Sequence, residues 1–282
     1  TVGSNLFHSF EKFNLNAGES AVFQSTADIQ NIISRITGGS ASNIDGLLRT
    51  QSFNVNLYLI NPNGIIFGSN AQIDIGSETR GSFIATTLDS LSWSNGSQFS
   101  ATNPGNSSSL LTIVGDPSGF LSSLEQPKPI EVTGSKLING VEPNKPYRSQ
   151  SLLLVGGDIN LHKATLQAED GRVELGGLSQ SGRIGLNTDG NILSLNFPNN
   201  VALSSVSLSN ASKVDVGGNG GGTIAINTAD LNILEGSTLW NGIDSGKVSQ
   251  DIKPGDIQIN ATGEDNIDGI NTSLNSNLSS GV

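Results

Sequence analysis

Ile, Leu and Val occur along this chain in short runs that alternate with polar residues, and the runs are broken by Gly or Asn. Such alternation places one side of a strand in a core and the other toward solvent, so the chain reads as many short strands. Helical spacing is scarce. Ile29, Ile32, Ile33 and Ile36 follow an i, i+3, i+4, i+7 pattern, but the segment is β-branched, short and stopped by Gly38-Gly39, which predicts strand and turn.

A pattern Gly-x-Ile recurs at Gly157-Asp158-Ile159, Gly190-Asn191-Ile192, Gly222-Thr223-Ile224 and Gly255-Asp256-Ile257, with starts 33, 32 and 33 residues apart. A near-constant period in strand-like sequence predicts stacked coils, each burying its apolar face against its neighbours. Within the first unit, Thr165 to Ala168, Arg172 to Leu175 and Arg183 to Leu186 supply further short runs, so each coil holds several strands with Gly at the corners. Gly and Asn tolerate the positive φ that sharp corners need, and stacked Asn side chains can hydrogen-bond from coil to coil. The expected class is all-β, a parallel β-helix. A leucine-rich horseshoe lacks its Leu-x-x-Leu-x-Leu repeat here, and an immunoglobulin-like sandwich predicts no such period.

Composition divides the chain further. Residues 1–90 hold seven of the ten Phe residues and predict an N-terminal β cap with the first coils, since a stack needs an atypical unit over its open end. Six of the nine prolines lie between 104 and 146, which predicts an irregular, extra-helical segment over 91–150 because proline cannot donate within a ladder. Residues 151–282 are expected to form coils of about 33 residues, with the natural protein continuing beyond a repeat that is in mid-pattern near Gly281.

Charge and residue types narrow the chemistry. The chain has 282 residues with 14 Lys and Arg against 25 Asp and Glu, a net charge of -11, which argues against nucleic acid or an anionic membrane as partner. Cysteine is absent, removing disulfides, thiolate metal sites and thiol catalysis. Methionine is absent too, so a leader ahead of Thr1 is expected to have been removed. Asn187-Thr188-Asp189-Gly190 resembles one motif of pectin-cleaving β-helix enzymes, but the chain has no Asp-Asp pair, and neither His8 nor His162 is flanked by glycines. Glycoside hydrolysis needs two carboxylates at a defined separation, so no enzyme is expected. Gly217 to Gly222 lacks the Asp of calcium-binding nonapeptide loops and reads as a flexible corner, and no glycine run has the Gly-Lys-Ser/Thr ending of a nucleotide site. No metal or cofactor is expected.

Two groups of residues stand out as candidates for recognition. Asn61-Pro62-Asn63-Gly64 lies between the apolar runs Leu57 to Ile60 and Ile65 to Phe67, and Asn at i, Pro at i+1 and Gly at i+3 suit a type I turn. It is either a tight corner alone or a partner-recognition element. Phe7, Phe10 and Phe13, with His8 among them, read as core of the cap or as a docking surface.

The segments Asn5 to Asn14, Ile32 to Gly39 and Asn61 to Gly68 resemble, in order and spacing, the N-terminal secretion domain of filamentous-haemagglutinin-type two-partner-secretion exoproteins. The likeness continues through Ser82 to Thr87, Gly156 to Ile159 and Gly171 to Gly176, in the manner of cyanobacterial versions of that family, and is weakest over residues 91 to 150. Asn61-Pro62-Asn63 matches one of the family's two Asn-Pro-Asn motifs, and the other is not present in recognisable form.

The resemblance implies a right-handed parallel β-helix, a periplasmic passage, and recognition by an outer-membrane barrel bearing POTRA domains, with Phe7, His8, Phe10 and Asn61 to Gly64 as the secretion motif. It implies a secreted or cell-surface product of the haemagglutinin or adhesin type, acting as a monomer without a nucleotide. The competing reading is an adhesive β-helix flank that binds glycans or host protein. A local-contact solenoid could also fold coil by coil as it emerges from a pore, each coil opposing backsliding.

Overall fold

A computed structural model describes residues 1–51, 54–75, 81–105, 107–139, 150–188, 190, 192–242, 255–267 and 273–275, the side chains of 107–109 and 273–275 excepted. The chain is a parallel β-helix. Its long face is an eight-stranded parallel sheet, ordered as Asn5–Phe10, Asn31–Ile36, Asn56–Ile60, Phe83–Thr86, Ser151–Gly156, Arg172–Gly177, Thr223–Thr228 and Ile257–Ala261. Within the Ile29 to Ile36 segment, Asn31–Ile36 is accordingly strand, as its β-branching predicts. The second face stacks seven strands from Ser42–Ile44 to Asp265–Ile267. The third is divided into a three-stranded sheet, beginning at Ser20–Phe23, and a five-stranded sheet, beginning at Lys136–Ile138.

The three faces enclose one apolar column. Leu6, Ile32, Leu57 and Phe83 stack in register on the long face. Ile44, Phe67, Val132, Leu161, Leu208 and Ile233 do so on the second. Leu137, Leu166, Val214 and Leu239 do so on the third. Parallel registry repeats the same inward position on each rung, so branched aliphatics meet their like and exclude water along the axis.

The coils are not of one length. Along the long face, successive partners lie 26, 25, 26, 69, 21, 51 and 33 residues apart. Of the four Gly-x-Ile units only the last two therefore stack on each other. Ile159 lies on the second face, paired with Ile130 and Val206, whereas Ile224 and Ile257 pair on the long face. Ile192 belongs to neither, standing exposed between two strands of a flanking sheet. A corner that precedes an inward apolar residue favours Gly, so the motif recurs at different corners, and its spacing equals a coil length only between Ile224 and Ile257.

Two excursions account for the longest intervals. One, Leu88 to Ser123, leaves after Phe83–Thr86, and the other, Leu178 to Leu203, leaves after Arg172–Gly177. They meet in a five-stranded antiparallel sheet in which Gly119–Ser122 pairs with both Ser90–Ser92 and Gly182–Asn187. Within the Pro-rich stretch, Ile130–Thr133 and Lys136–Ile138 return to the ladder, pairing with Ile159–His162 and Thr165–Gln167.

This flanking sheet covers the outer side of the long face. Ile33, Tyr58, Ile60, Ile84, Leu153 and Val155 point outward and join Trp93, Phe99 and Phe120 in a second core. Runs such as Leu152-Leu153-Leu154-Val155 are continuous because both sides of their strand are buried. Polar anchors fix the cover. Arg35 donates to Ser9 Oγ at 2.7 Å, to Ser100 O at 2.6 Å and to Pro104 O at 3.0 Å, with its guanidinium 4.1 Å from the Phe99 ring centre. Glu174 accepts from Arg172 Nε at 2.7 Å and from the Leu195 amide at 3.0 Å, and burial raises its pKa against the opposing effect of Arg172.

Two-sided burial makes a sharp expectation. Leu153→Ala and Leu154→Ala, adjacent and facing opposite ways, should each lose about 2–5 kcal/mol in urea unfolding. A near-neutral Leu153→Ala would mean that the outer side is open to solvent.

Candidate partner-recognition site

The candidate residues lie on the first three rungs of the long face and at the turns that follow them. Asn5–Phe10, Asn31–Ile36 and Asn56–Ile60 pair in register, so Phe7 stacks under Ile33 and Tyr58, and His8 under Ser34 and Leu59. Asn begins each rung. Asn31 Nδ2 donates to Asn5 Oδ1 at 3.1 Å, Asn56 Nδ2 to Asn31 Oδ1 at 3.0 Å, and the Ser82 amide to Asn56 Oδ1 at 3.0 Å. Each amide side chain both donates and accepts, which fixes the register of neighbouring rungs.

Side-chain alternation sends the three candidates of the first strand to opposite sides. Phe7 faces outward, its ring centre 5.9 Å from Trp93 and 4.8 Å from Phe99, so it closes the second core. His8 and Phe10 face the axis at the open end, where their rings stack 5.9 Å apart with Phe13 and Phe23 beside them. All three are half-buried. Burial, with a smaller contribution from the chain's amino terminus, lowers the His8 pKa below its ordinary 6.5, and its Nε2 is enclosed without a hydrogen-bond partner.

Asn61 to Gly64 turns the third rung from the long face to the second. The Gly64 amide donates to Asn61 O at 3.1 Å, closing the turn, and Gly64 has φ +113°, a left-handed conformation that suits glycine. Asn61 is fully buried. Its Nδ2 donates to Ser40 O at 3.0 Å and Ser42 Oγ at 2.9 Å, and its Oδ1 accepts from the Asn63 amide at 3.0 Å. Pro62 and Gly64 are buried as well, leaving Asn63 half-buried. Asn63 Nδ2 donates to Gly38 O at 2.6 Å, while the Gly38 amide donates to Glu11 O at 3.0 Å. The Asn61 corner, the Gly38 turn and the end of the first strand are thus tied together by backbone and amide bonds.

Both excursions leave from this same long-to-second-face corner on later rungs. An open groove of about 340 Å³ lies beside the tight corners, lined by Gly38, Pro62 and Asn63 together with Thr102, Pro104 and Lys128.

The other sequence features resolve as structural devices. Asp170 Oδ1 accepts from the Gly220 and Gly221 amides at 2.6 and 2.9 Å, pinning the Gly217 to Gly222 corner. His162 lies beside Ser209 and Asn210 of the neighbouring rung, at 3.2 Å from each. Asp189 of the pectinase-like motif lies outside the described residues. Among those residues, no group of three His, Cys, Asp or Glu is placed to hold a metal.

Sequence reasoning missed Arg35, Asp89 and Glu174, the buried charged groups that hold the flanking sheet. Asp89 accepts from Thr102 Oγ1 at 2.9 Å and from Ser123. A charge within an apolar run, as in Ile33-Ser34-Arg35-Ile36 and Val173-Glu174-Leu175, was the available signal.

The TPS secretion domain model matches residues 1–226, and the chain belongs to that family. It is the secretion domain of a two-partner-secretion exoprotein, of a kind that engages a cognate outer-membrane transporter. No curated protein matches the chain.

Asn61→Ala should cost about 1–3 kcal/mol, because it strands buried partners, and Asn63→Ala should cost less; denaturant midpoints compare them. The folded state favours neutral His8. Its contribution is therefore complete above 6.5 and falls away as the pH drops toward the lower folded value. Replacing His8 by Phe should flatten the dependence of stability on pH below 6.5, and an unchanged acid limb would assign that dependence to other groups.

Proposed function

We propose that this domain is the export signal of a haemagglutinin- or adhesin-type exoprotein, recognised in the periplasm by a POTRA-bearing outer-membrane barrel and folding as a β-helix outside the cell. The family match over residues 1–226 carries this reading. The recognition element is the first three rungs with their turns: Phe7, His8 and Phe10 at the open end, and Asn61, Pro62, Asn63 and Gly64 at the corner. Their connection through Gly38 supports treating them as one unit.

Within that element the division of labour follows burial. Asn61 closes the corner once the domain folds, while half-buried Asn63 is less needed for the fold, which leaves it to serve recognition. The domain acts as a monomer and draws on no nucleotide. Folding outside the cell supplies direction, since a domain of ordinary stability, about 0.05 to 0.15 kcal/mol per residue, strongly disfavours return through a pore. Absence of cysteine keeps the chain free of periplasmic disulfide traps.

Co-expression with the cognate barrel should release the domain into the medium, and cells lacking the barrel should retain it. Asn63→Ala should lower release at least tenfold with the unfolding midpoint little changed. Equal release with and without the barrel would overturn the export role, whereas full release of a folded Asn63→Ala protein would reduce the corner to a turn.

A further inference from the structure

Tyr58 stands at the centre of Asn56–Ile60, three residues before Asn61. Its in-register neighbours are Ile33 and Ile84, and like them it points outward into the second core, beneath the flanking sheet. Its side chain is fully buried, yet its hydroxyl has no hydrogen-bond partner. The carboxylate of Asp116, engaged by Asn31 Nδ2 at 2.8 Å, acts on it through charge alone: burial first and that charge second raise the Tyr58 pKa, so the phenol stays neutral.

The folded domain makes no use of this oxygen. Taking a hydroxyl out of water without a new partner costs stability, and phenylalanine would fill the same space without that cost. The neighbouring buried groups behave otherwise, since Asn31, Arg35 and Asn61 each donate hydrogen bonds. Ser34, Ser92, Ser135 and Ser204 bury unpartnered hydroxyls too, but none lies in the run that leads into Asn61. Tyr58 does: the sequence there is Tyr58-Leu59-Ile60-Asn61-Pro62-Asn63-Gly64.

We propose that the Tyr58 hydroxyl is a specificity determinant for the cognate transporter, read together with Asn61 to Gly64 as one linear signal in the unfolded chain. This rests on the proposed recognition by a transporter and folding outside the cell, under which the transporter meets consecutive side chains and not a folded surface. The transporter supplies a polar group that hydrogen-bonds the phenol. A site built in that way rejects a chain without the hydroxyl, because its own polar group is then left unpaired. Folding afterwards withdraws Tyr58, Asn61, Pro62 and Gly64 into the interior, so the signal is erased once the domain is outside.

The test directs the 282-residue chain to the periplasm of cells that make the cognate barrel and compares wild type with Tyr58→Phe. The purified Tyr58→Phe protein should unfold at a higher urea concentration than wild type, while its release into the medium should fall at least fivefold. The chain held back should be as sensitive to protease as wild type in cells lacking the barrel. An unchanged or lower midpoint would show that the hydroxyl serves the fold, and undiminished release would show that the transporter does not read it; either result overturns the proposal and leaves recognition by the transporter standing. A protease-resistant chain in the periplasm would assign the loss to early folding and overturn the proposal as well. Release of wild type from cells without the barrel would overturn the export role itself, and this determinant with it.

Discussion

The structure depends on one sheet that is apolar on both sides. A half-solvated sheet could have closed a simple three-faced coil, with outward positions free to vary. Here Ile33, Tyr58, Ile60, Ile84, Leu153 and Val155 point away from the axis, and at roughly 25 cal/mol per Å² of apolar surface they cannot be left in water. Something must lie over them. The two excursions meet that requirement, and the groups that attach them, Arg35, Asn5, Asn31 and Glu174, project from the same strands that need covering. Chain length at one corner is thus a consequence of side-chain chemistry on the adjoining face.

The same corner explains how the candidate residues relate to the rest. Where the turn is tight, as at Asn61 to Gly64, an Asn side chain supplies the hydrogen bonds that a longer loop would find elsewhere. Where the turn is long, it becomes the cover. Because Gly119–Ser122 pairs with Gly182–Asn187, the flanking sheet is complete only when both excursions are present. Strict coil-by-coil closure is therefore not available to the middle of the domain. The family match ends at residue 226, within the long-face strand Thr223–Thr228 that follows the second excursion.

The parallel stack was legible in the sequence, because short β-branched runs ending at Gly or Asn have few other solutions. Its true period was not read from Gly-x-Ile, which marks any corner. Asn5, Asn31, Asn56 and Ser82, the column of mutually bonded amides and its terminal serine, carry spacings of 26, 25 and 26 residues and would have revealed the coil length of the first half. Antiparallel pairing between excursions was invisible, since it joins residues 60 to 66 positions apart through the short strand Gly119–Ser122. The split of Phe7 from His8 and Phe10 followed from strand alternation, but nothing in the sequence indicated that the outward side would be covered by Trp93 and Phe99.

The link between Gly119–Ser122 and Gly182–Asn187 also governs how the molecule would bear tension. A pull along the axis meets cross-ties from the outset, because Asn5, Asn31 and Arg35 on the first two rungs hydrogen-bond to Gly115, Asp116, Ser100 and Pro104 of the first excursion, and the seam then ties the fourth rung to the sixth across the fifth. Load entering at the first strand is therefore shared with the flanking sheet, and the ladder does not part rung by rung.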